Sequence, residues 1–469
     1  MIPKKLSIAA LALLSGTAIP ALALDVYMDT ETKQIFGEPG PGRVKVGSFE
    51  RFVESAPEAA PVDKEEVKQQ VEKAVAEATK DIPEVNTKGK LEIKSKDGDF
   101  KWRLKGRIHV NAGVYGDDTA DSGQSTDFQN GAEMRRARLA LEATLWRYWG
   151  LKLQYDFAAG AGTAGLRDAY ITYYNDAAWP VLVTVGQFKE YLGLESLGSS
   201  NDITFIERAL PSRAFSPPDA RRLGIGLRTH GHDLWTLGMG FYGKNADSED
   251  LGGAPVDQDN PFVFAGRVTL SPIHTESQFV HFGFGGSYLA PDNTTRIRER
   301  PELRPGTQRL VDTGLLANVD NVTRLVAEAA GGYGPFSLQG EYTYADVDRK
   351  NGFSNPNFDG WYIQGSWILT GESREYEFED GIFKNPKPAS IVGQGGIGAW
   401  EIAARYSQID LNSKDINGGR EENFTIGLNW YPAPNFKFMA NYVNVLNVSG
   451  GAFAGAEPDG FLMRGQVIW

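Results

Sequence analysis

From Phe100 to the C-terminus, hydrophobic and polar residues alternate one for one. In "FKWRLKGRIHVNAGVY" (100–115), Trp102, Leu104, Gly106, Ile108, Val110 and Ala112 share one side, while Lys101, Arg103, Lys105, Arg107, His109 and Asn111 share the other. A period of two marks an extended strand whose two faces meet different surroundings. The dyad recurs where Leu151, Leu153, Tyr155 and Phe157 oppose Lys152, Gln154 and Asp156, and where Phe424, Ile426, Leu428 and Trp430 oppose Thr425, Gly427 and Asn429. At the C-terminus Phe461, Met463, Val467 and Trp469 oppose Arg464 and Gln466. Sixteen such segments follow one another, near 101–116, 132–145, 149–158, 166–176, 180–188, 222–230, 232–244, 260–271, 278–289, 322–332, 335–347, 357–370, 397–410, 421–432, 434–447 and 459–469. Lengths of ~9 to 15 residues fit strands that cross a bilayer at a tilt. A soluble sandwich, which buries its apolar faces in a core, rarely needs strands so long or so numerous.

The connectors point the same way. Short ones at 146–148, 176–179, 230–231, 332–334 and 432–435 alternate with long ones at 117–131, 189–221, 245–259, 290–321, 348–356, 411–420 and 447–458, as tight periplasmic turns alternate with outer loops in outer-membrane barrels. Residues 371–396 break the pattern: they are long, yet fall on the short-turn side. Backbone groups cannot stay unpaired in hydrocarbon, so the sheet must close on itself. Sixteen strands enclose a lumen too wide for side chains to fill, which leaves a water-filled pore unless loops fold inward. The expected fold is therefore all-β, a 16-stranded antiparallel transmembrane β-barrel with a short N-terminal periplasmic helical extension.

The N-terminus reads as an export signal. Lys4 and Lys5 precede an apolar run from Leu6 to Ile19 and an Ala21-Leu22-Ala23 cleavage site, giving a signal peptide over 1–23. Residues 24–60 form an N-terminal periplasmic segment with no role assignable from sequence. Residues 61–83, bracketed by Pro61 and Pro83, read as a helix: Asp63 and Glu66 form a capping box, and Val67, Val71, Ala74 and Ala78 make a narrow apolar seam. A seam this narrow suits partner helices, and the alternative is a solvated helical linker. The barrel domain then covers 99–469.

Composition removes several chemistries. There is no cysteine, and the five histidines show no HxxxH spacing, so disulfides, thiol catalysis and a zinc site are not expected, nor is any cofactor. The formal net charge is −12, which argues against nucleic acid as a partner. Against that acidic background, "NTTRIRERPELRPGTQRL" (293–310) holds Arg296, Arg298, Arg300, Arg304 and Arg309 against Glu299 and Glu302. By the alternation of turns and loops this stretch lies in the fifth outer loop, and 189–221, with Arg208, Arg213 and Arg221, in the third. Strand phase adds Arg103, Lys105, Arg107, Arg136, Arg138, Lys152 and Arg267 to the lumen. A barrel lined in this way is positive inside although the molecule is negative, because nearby charges in a confined cavity set the field an ion meets. Arginine's planar fork suits phosphate-like anions. The competing reading puts the loop arginines on solvated surface, balanced by Glu299 and Glu302 or by lipopolysaccharide phosphates.

Ten stretches, in order, carry a family resemblance: "FKWRLKGR" (100–107), "MRRARL" (134–139), "RDAYITY" (167–173), "GLES" (193–196), "ERAL" (207–210), "TRIRERPELR" (295–304), "WILTGES" (367–373), "GAWEIAARY" (398–406), "GLNWYPAP" (427–434) and "ANYV" (440–443). The chain from about Phe100 to Trp469 resembles the phosphate-selective porin O/P family of Gram-negative outer membranes. The resemblance implies a homotrimeric, anion-selective porin with inward-folded loops and an arginine ladder leading to a constriction. On it the anion pathway includes Arg107, Arg135, Arg136, Arg296, Arg298, Arg300 and Arg304, to which strand phase adds Arg103; the lumen acids are Asp156 and Asp168, and the constriction loop holds Ser196, with Lys189 and Arg208 on the same third-loop segment. Arg135 conflicts with strand phase, since it shares the side of Leu139 and Leu141. Where phosphate-selective members carry a lysine after "GLE", this chain has Ser196, which puts phosphate selectivity in doubt; Lys189 is the nearest substitute. The terminal Trp469 resembles the signal read by the barrel assembly machinery. Besides an anion porin in outer-membrane lipid, two readings compete: a general, weakly selective porin, and an outer-membrane enzyme built on His281 and Ser287.

Overall fold

The computed structural model describes residues 24–49, 64–78, 82–158, 165–177, 179–216, 221–243, 262–291, 293–304, 306 and 308–469; the expected signal peptide lies outside them. The chain divides into two compact units, up to Lys80 and from Asp81 onward. In the first, Leu24–Asp29 pairs antiparallel with Ile35–Phe36 and Arg43–Phe49, and Lys64–Ala78 is a helix. Val71 and Val75 of that helix are exposed, whereas the side chains of Val67 and Ala78 lie outside the described residues.

The second unit is a closed antiparallel barrel. Its strands are β1 (Phe100–Gly116), β2 (Gly131–Leu145), β3 (Trp149–Asp156), β4 (Gly165–Asn175), β5 (Val181–Lys189), β6 (Arg221–Gly231), β7 (Trp235–Tyr242) and β8 (Phe262–His274). They continue as β9 (Gln278–Ala290), β10 (Val319–Tyr333), β11 (Phe336–Arg349), β12 (Asn357–Ile368), β13 (Ala399–Ser413), β14 (Ile416–Ala433), β15 (Phe436–Ser449) and β16 (Asp459–Ile468). Each pairs with its neighbour in sequence, and β16 closes on β1 from Asp459↔Gly116 to Ile468↔Arg107. No sheet edge is left in the spanning region, as a hydrocarbon surrounding requires.

Burial follows the alternation. On β14, Asn423, Thr425 and Asn429 are buried while Phe424, Ile426 and Leu428 are exposed, with Thr425 at 1 % and Ile426 at 52 %. The apolar face therefore looks outward and the polar face inward, the reverse of a soluble core. Exposed aromatics gather at both strand ends: Trp146, Trp179, Tyr333, Trp367 and Trp469 on the short-turn side, and Phe241, Phe262, Tyr288 and Tyr442 on the loop side. Such belts sit at headgroup level. Trp469 completes the seam, exchanging backbone hydrogen bonds with Gly106 at 3.0 and 3.1 Å. Its indole lies where a Cβ on Gly106 would stand, 2.0 Å from the nearest ring atom, so this outward position requires glycine.

Three features differ from expectation. The expected long connector at 411–420 is instead the extended ends of β13 and β14, joined by a tight turn with Ser413 opposite Ile416. "NSKD" (412–415) hides those ends because strands that leave the bilayer are polar on both faces. The turn expected at 230–231 falls at 232–234, since Gly231 pairs with Trp235. Ahead of β1, Glu84–Asn86 and Leu91–Lys94 form a hairpin whose second strand pairs with β1 from Leu91↔Leu104 to Lys94↔Lys101.

Candidate functional site: a cation-lined lumen

The third loop, between β5 and β6, turns into the lumen because wall charges hold it there. Its short helix Leu194–Leu197 donates the backbone N–H groups of Leu194 (2.6 Å) and Glu195 (3.0 Å) to the Glu341 carboxylate on β11. At the other end, the Lys189 ammonium donates to the carbonyls of Ser196, Leu197 and Gly198 at 2.7, 3.0 and 2.9 Å. Carboxyl oxygens at the first N–H groups and an ammonium at the last carbonyls satisfy what a helix leaves open. Farther along, Glu207 accepts from Arg135 on β2 (2.8 Å) and Arg464 on β16 (3.1 Å), and pairs with Arg213 at 3.3 Å. Burial raises the Glu207 carboxyl, but the guanidinium groups of Arg135, Arg213 and Arg464 outweigh it and hold the group well below the usual carboxylate range.

The fifth loop, between β9 and β10, also folds inward, where Leu303, Leu310 and Val311 are buried. Glu302 locks it to the third loop and the wall. Its Oε1 accepts from the Leu210 backbone N–H (3.0 Å) and the Ser407 hydroxyl (2.6 Å), and its Oε2 accepts from Thr425 (3.2 Å) and Arg405.

Between the third loop and the wall from β1 to β8 lies a cavity of about 340 Å³. Its basic lining consists of Arg107, Arg138, Lys152, Lys189, Arg208, Arg221, Arg228 and Arg267; its acids are Asp168 and Asp380. Asp156, Glu328 and Glu142 pair with Arg138 (2.6 Å), Arg267 (2.7 Å) and Lys152 (3.8 Å) without lining it, so even counting them the site carries three more positive than negative charges. A second cavity of about 290 Å³ shares Lys152, Tyr170, Thr172 and Leu182 with the first and reaches Arg103, Thr144 and Gly150 near the short turns. Together they run along one side of the barrel.

The expected site residues divide between this passage and its supports. Arg107 lines the larger cavity and donates to Ser200 at 2.9 Å, and Arg103 lines the smaller one beside Glu92 of the preceding hairpin. Arg208 lines the larger cavity while donating to the carbonyls of Glu195 and Gly198, both at 2.8 Å. Asp168 bridges Lys152 (2.9 Å) and Arg221 (2.8 Å), and Asp156 holds Arg138. Ser196 is buried and donates to Ser212 O at 3.1 Å. Arg136 is buried in the wall.

Arg135 settles the conflict over its phase. His109 pairs with Arg136 but Val110 with Met134, so Arg135 is an extra residue on β2, a β-bulge that turns two successive side chains to the same face. Arg135 and Arg136 are thus both inward, each 1 % exposed.

None of the five fifth-loop arginines lines the larger cavity. Arg296 pairs with Asp312 of its own loop, and Arg304 is buried 3.8 Å from Glu133. Arg298 and Arg300 are half-buried. Burial, with Arg135 next in weight, pushes the Arg304 guanidinium down to about 9, which leaves it charged at neutral pH. Glu299 takes Arg213 at 3.2 Å.

The long connector 369–398 enters the barrel from the short-turn side. Its strands Tyr376–Glu377 and Ile382–Phe383 form a hairpin. Arg267 donates to the carbonyls of Asp380 (3.1 Å) and Gly381 (2.8 Å), and Asn385 donates from its side chain to Asn201 O of the third loop at 2.8 Å. His281 sits within hydrogen-bond reach of Tyr376 (2.8 Å) and Glu328 (3.1 Å), while Ser287 accepts from Arg324 at 2.7 Å. His281 and Ser287 make no pair: six residues along one strand separate them by about 20 Å. Sequence reasoning did not single out Arg228, Arg324 or Arg405; the polar phase of their strands carries the signal for all three.

The sequence model of the family described as phosphate-selective porin O and P matches residues 103–467. The chain belongs to that family. A curated relative, Porin O of Pseudomonas aeruginosa, is 28 % identical over 425 residues, covering 82 % of this chain and 92 % of its own. An uncharacterized protein of Caulobacter vibrioides is 30 % identical over 366 residues, covering 76 % of this chain and 71 % of its own. Among solved structures, the anion-selective porin from Comamonas acidovorans superposes with a TM-score of 0.51 at 14 % identity, over 79 % of this chain and all of that one, a likeness of fold. This porin is thus an outer-membrane channel with a sixteen-stranded closed barrel, and its named relatives are channels rather than catalysts.

Proposed function

We propose that this porin passes small anions in preference to cations, through the passage beside the third loop. One observation carries the reading: eight basic side chains face two acidic ones on the larger cavity. Each cation is held by a carboxylate, a carbonyl or a hydroxyl, so the ring is rigid, and a row of moderate sites lets an ion leave as readily as it enters. The Comamonas porin of similar fold is described as anion-selective, which agrees. The test is the zero-current potential of the purified protein in a planar bilayer across a tenfold potassium chloride gradient. Its sign should favour chloride; a potential favouring potassium overturns the reading.

Ser196 favours weak rather than strong phosphate selectivity. It places a buried hydroxyl where the family's phosphate-selective members have an ammonium, and Lys189 offers its charge but commits three donors to carbonyls. Inorganic phosphate is therefore a passenger of modest affinity.

The protein also works as a homotrimer in outer-membrane lipid and lipopolysaccharide, inserted through the terminal-strand signal ending in Trp469. The helix Lys64–Ala78 belongs to this reading, since Val71 and Ala74 of its apolar seam are exposed and suit a three-helix coiled coil. Deleting residues 61–83 should lower the temperature at which the trimer dissociates in detergent; an unchanged temperature removes the helix from assembly.

A further inference from the structure

The larger cavity has a second lining that an inorganic ion does not need. Tyr170, Phe188, Tyr191, Leu182, Leu197 and Ile382 share its wall with the cations. Three of them form a shelf: the rings of Tyr170 and Phe188 lie 6.3 Å apart and those of Phe188 and Tyr191 5.9 Å apart. The shelf depends on two glycines of the barrel wall. A Cβ on Gly238 would stand 3.0 Å from the Tyr191 ring, and one on Gly226 would stand 2.9 Å from it. Two adjacent strands thus leave out side chains where the ring rests, and Tyr191 still lines the cavity. The Lys152 ammonium lies 5.9 Å from the Tyr170 ring centroid, so charge and aromatic surface meet within one site.

Inorganic phosphate has polar oxygens on every side. Set against aromatic carbon it loses water without gaining a partner. It also underfills about 340 Å³, a volume within the range of small-ligand sites. An anion with an apolar body matches both linings at once.

We propose that this cavity binds organic anions consisting of a carboxylate or phosphate monoester group on an aryl or short alkyl body. The charged group meets Arg107 and its basic neighbours, and the body lies on the Tyr170, Phe188 and Tyr191 shelf. This rests on the anion-preferring reading and adds the class of solute. Burial of an aromatic body contributes on top of the charge.

The experiment compares three probes of the same charge at pH 8: inorganic phosphate, methyl phosphate and phenyl phosphate. Each is titrated into a chloride-carrying channel in a planar bilayer and the half-blocking concentration is read. Phenyl phosphate is expected to block at about one-tenth the concentration of the other two, or lower. Tyr191→Ala should bring phenyl phosphate to the level of methyl phosphate, while Tyr191→Phe should preserve the gap. Should Tyr191→Ala not fold, Gly238→Ala displaces the same ring and is expected to weaken block by phenyl phosphate alone. Equal half-blocking concentrations, or a gap that both Tyr191→Ala and Gly238→Ala leave intact, overturn the proposal. A potassium-favouring zero-current potential is a different failure, that of the anion-preferring reading itself.

Discussion

Glu302→Ala is expected to raise single-channel conductance severalfold and to make the open current noisy. The Glu302 carboxylate accepts from four groups on three elements: the Leu210 backbone N–H on the third loop, Ser407 and Arg405 on β13, and Thr425 on β14. Removing it leaves Arg405, 1 % exposed, without its main counter-charge. Taking one partner from a buried ion pair costs about 3–5 kcal/mol. The barrel does not depend on this link, because its strands are held by continuous ladders that close at β16 and β1. The fifth loop is therefore freed from the third loop and the wall while the barrel stays, and a lumen of sixteen strands is wide where an inward loop leaves it. Single-channel recording reads the effect, with the heat-modifiable mobility of the folded barrel on a gel as the control. Unchanged conductance in a folded Glu302→Ala protein contradicts the loop clamp.

The wall was legible in the sequence because its cause is local. Lipid and water on opposite sides of one strand impose a period of two, and Thr425 and Ile426 differ in exposure as that period demands. The period fails where its physical cause stops. Past the bilayer, "NSKD" is polar on both faces and reads as a loop, although Asn412 and Ser413 are paired. At Arg135 a single bulge reverses the phase, and only the partner strand's register shows it.

The inside of the barrel was far less legible. The third loop is held by Arg135 to Glu207, 72 residues apart, and by Arg405 through Glu302, 103 residues apart. Nothing in local spacing announces such pairs. The arginines of the fifth loop drew attention because they lie close together in sequence, yet Arg296 is neutralised by Asp312 and none of the five reaches the cavity around Arg107. The cavity's charge comes instead from single residues on many strands, each noticeable only by its polar phase. The connector 369–398 stood out by its length, but its entry into the lumen depends on Arg267 and Asn385, which length does not reveal.

The second large effect concerns the field in the passage. Three surplus positive charges surround an aqueous space along one wall of the barrel. A charge about 8 Å from an ion in water contributes roughly 0.5 kcal/mol, reduced by salt, and acts with opposite sign on anions and cations. The summed difference is on the order of 1–2 kcal/mol, or about tenfold in local concentration ratio. The chain has no cysteine, so a single introduced thiol reports this field without background. Thr172 lines both cavities, and its neighbour Ile171 is 49 % exposed on the outer face.

The deciding measurement is therefore the rate at which Thr172→Cys in an open channel reacts with a sulfonate-bearing and an ammonium-bearing methanethiosulfonate, each divided by its rate with a free thiol. The expected result is a normalised preference for the sulfonate of about tenfold, a stepwise fall in current on modification, and no current change for Ile171→Cys. Equal normalised rates, an ammonium preference, or a current response at Ile171→Cys as large as at Thr172→Cys would contradict a barrel with lipid outside and a cation-lined watercourse within.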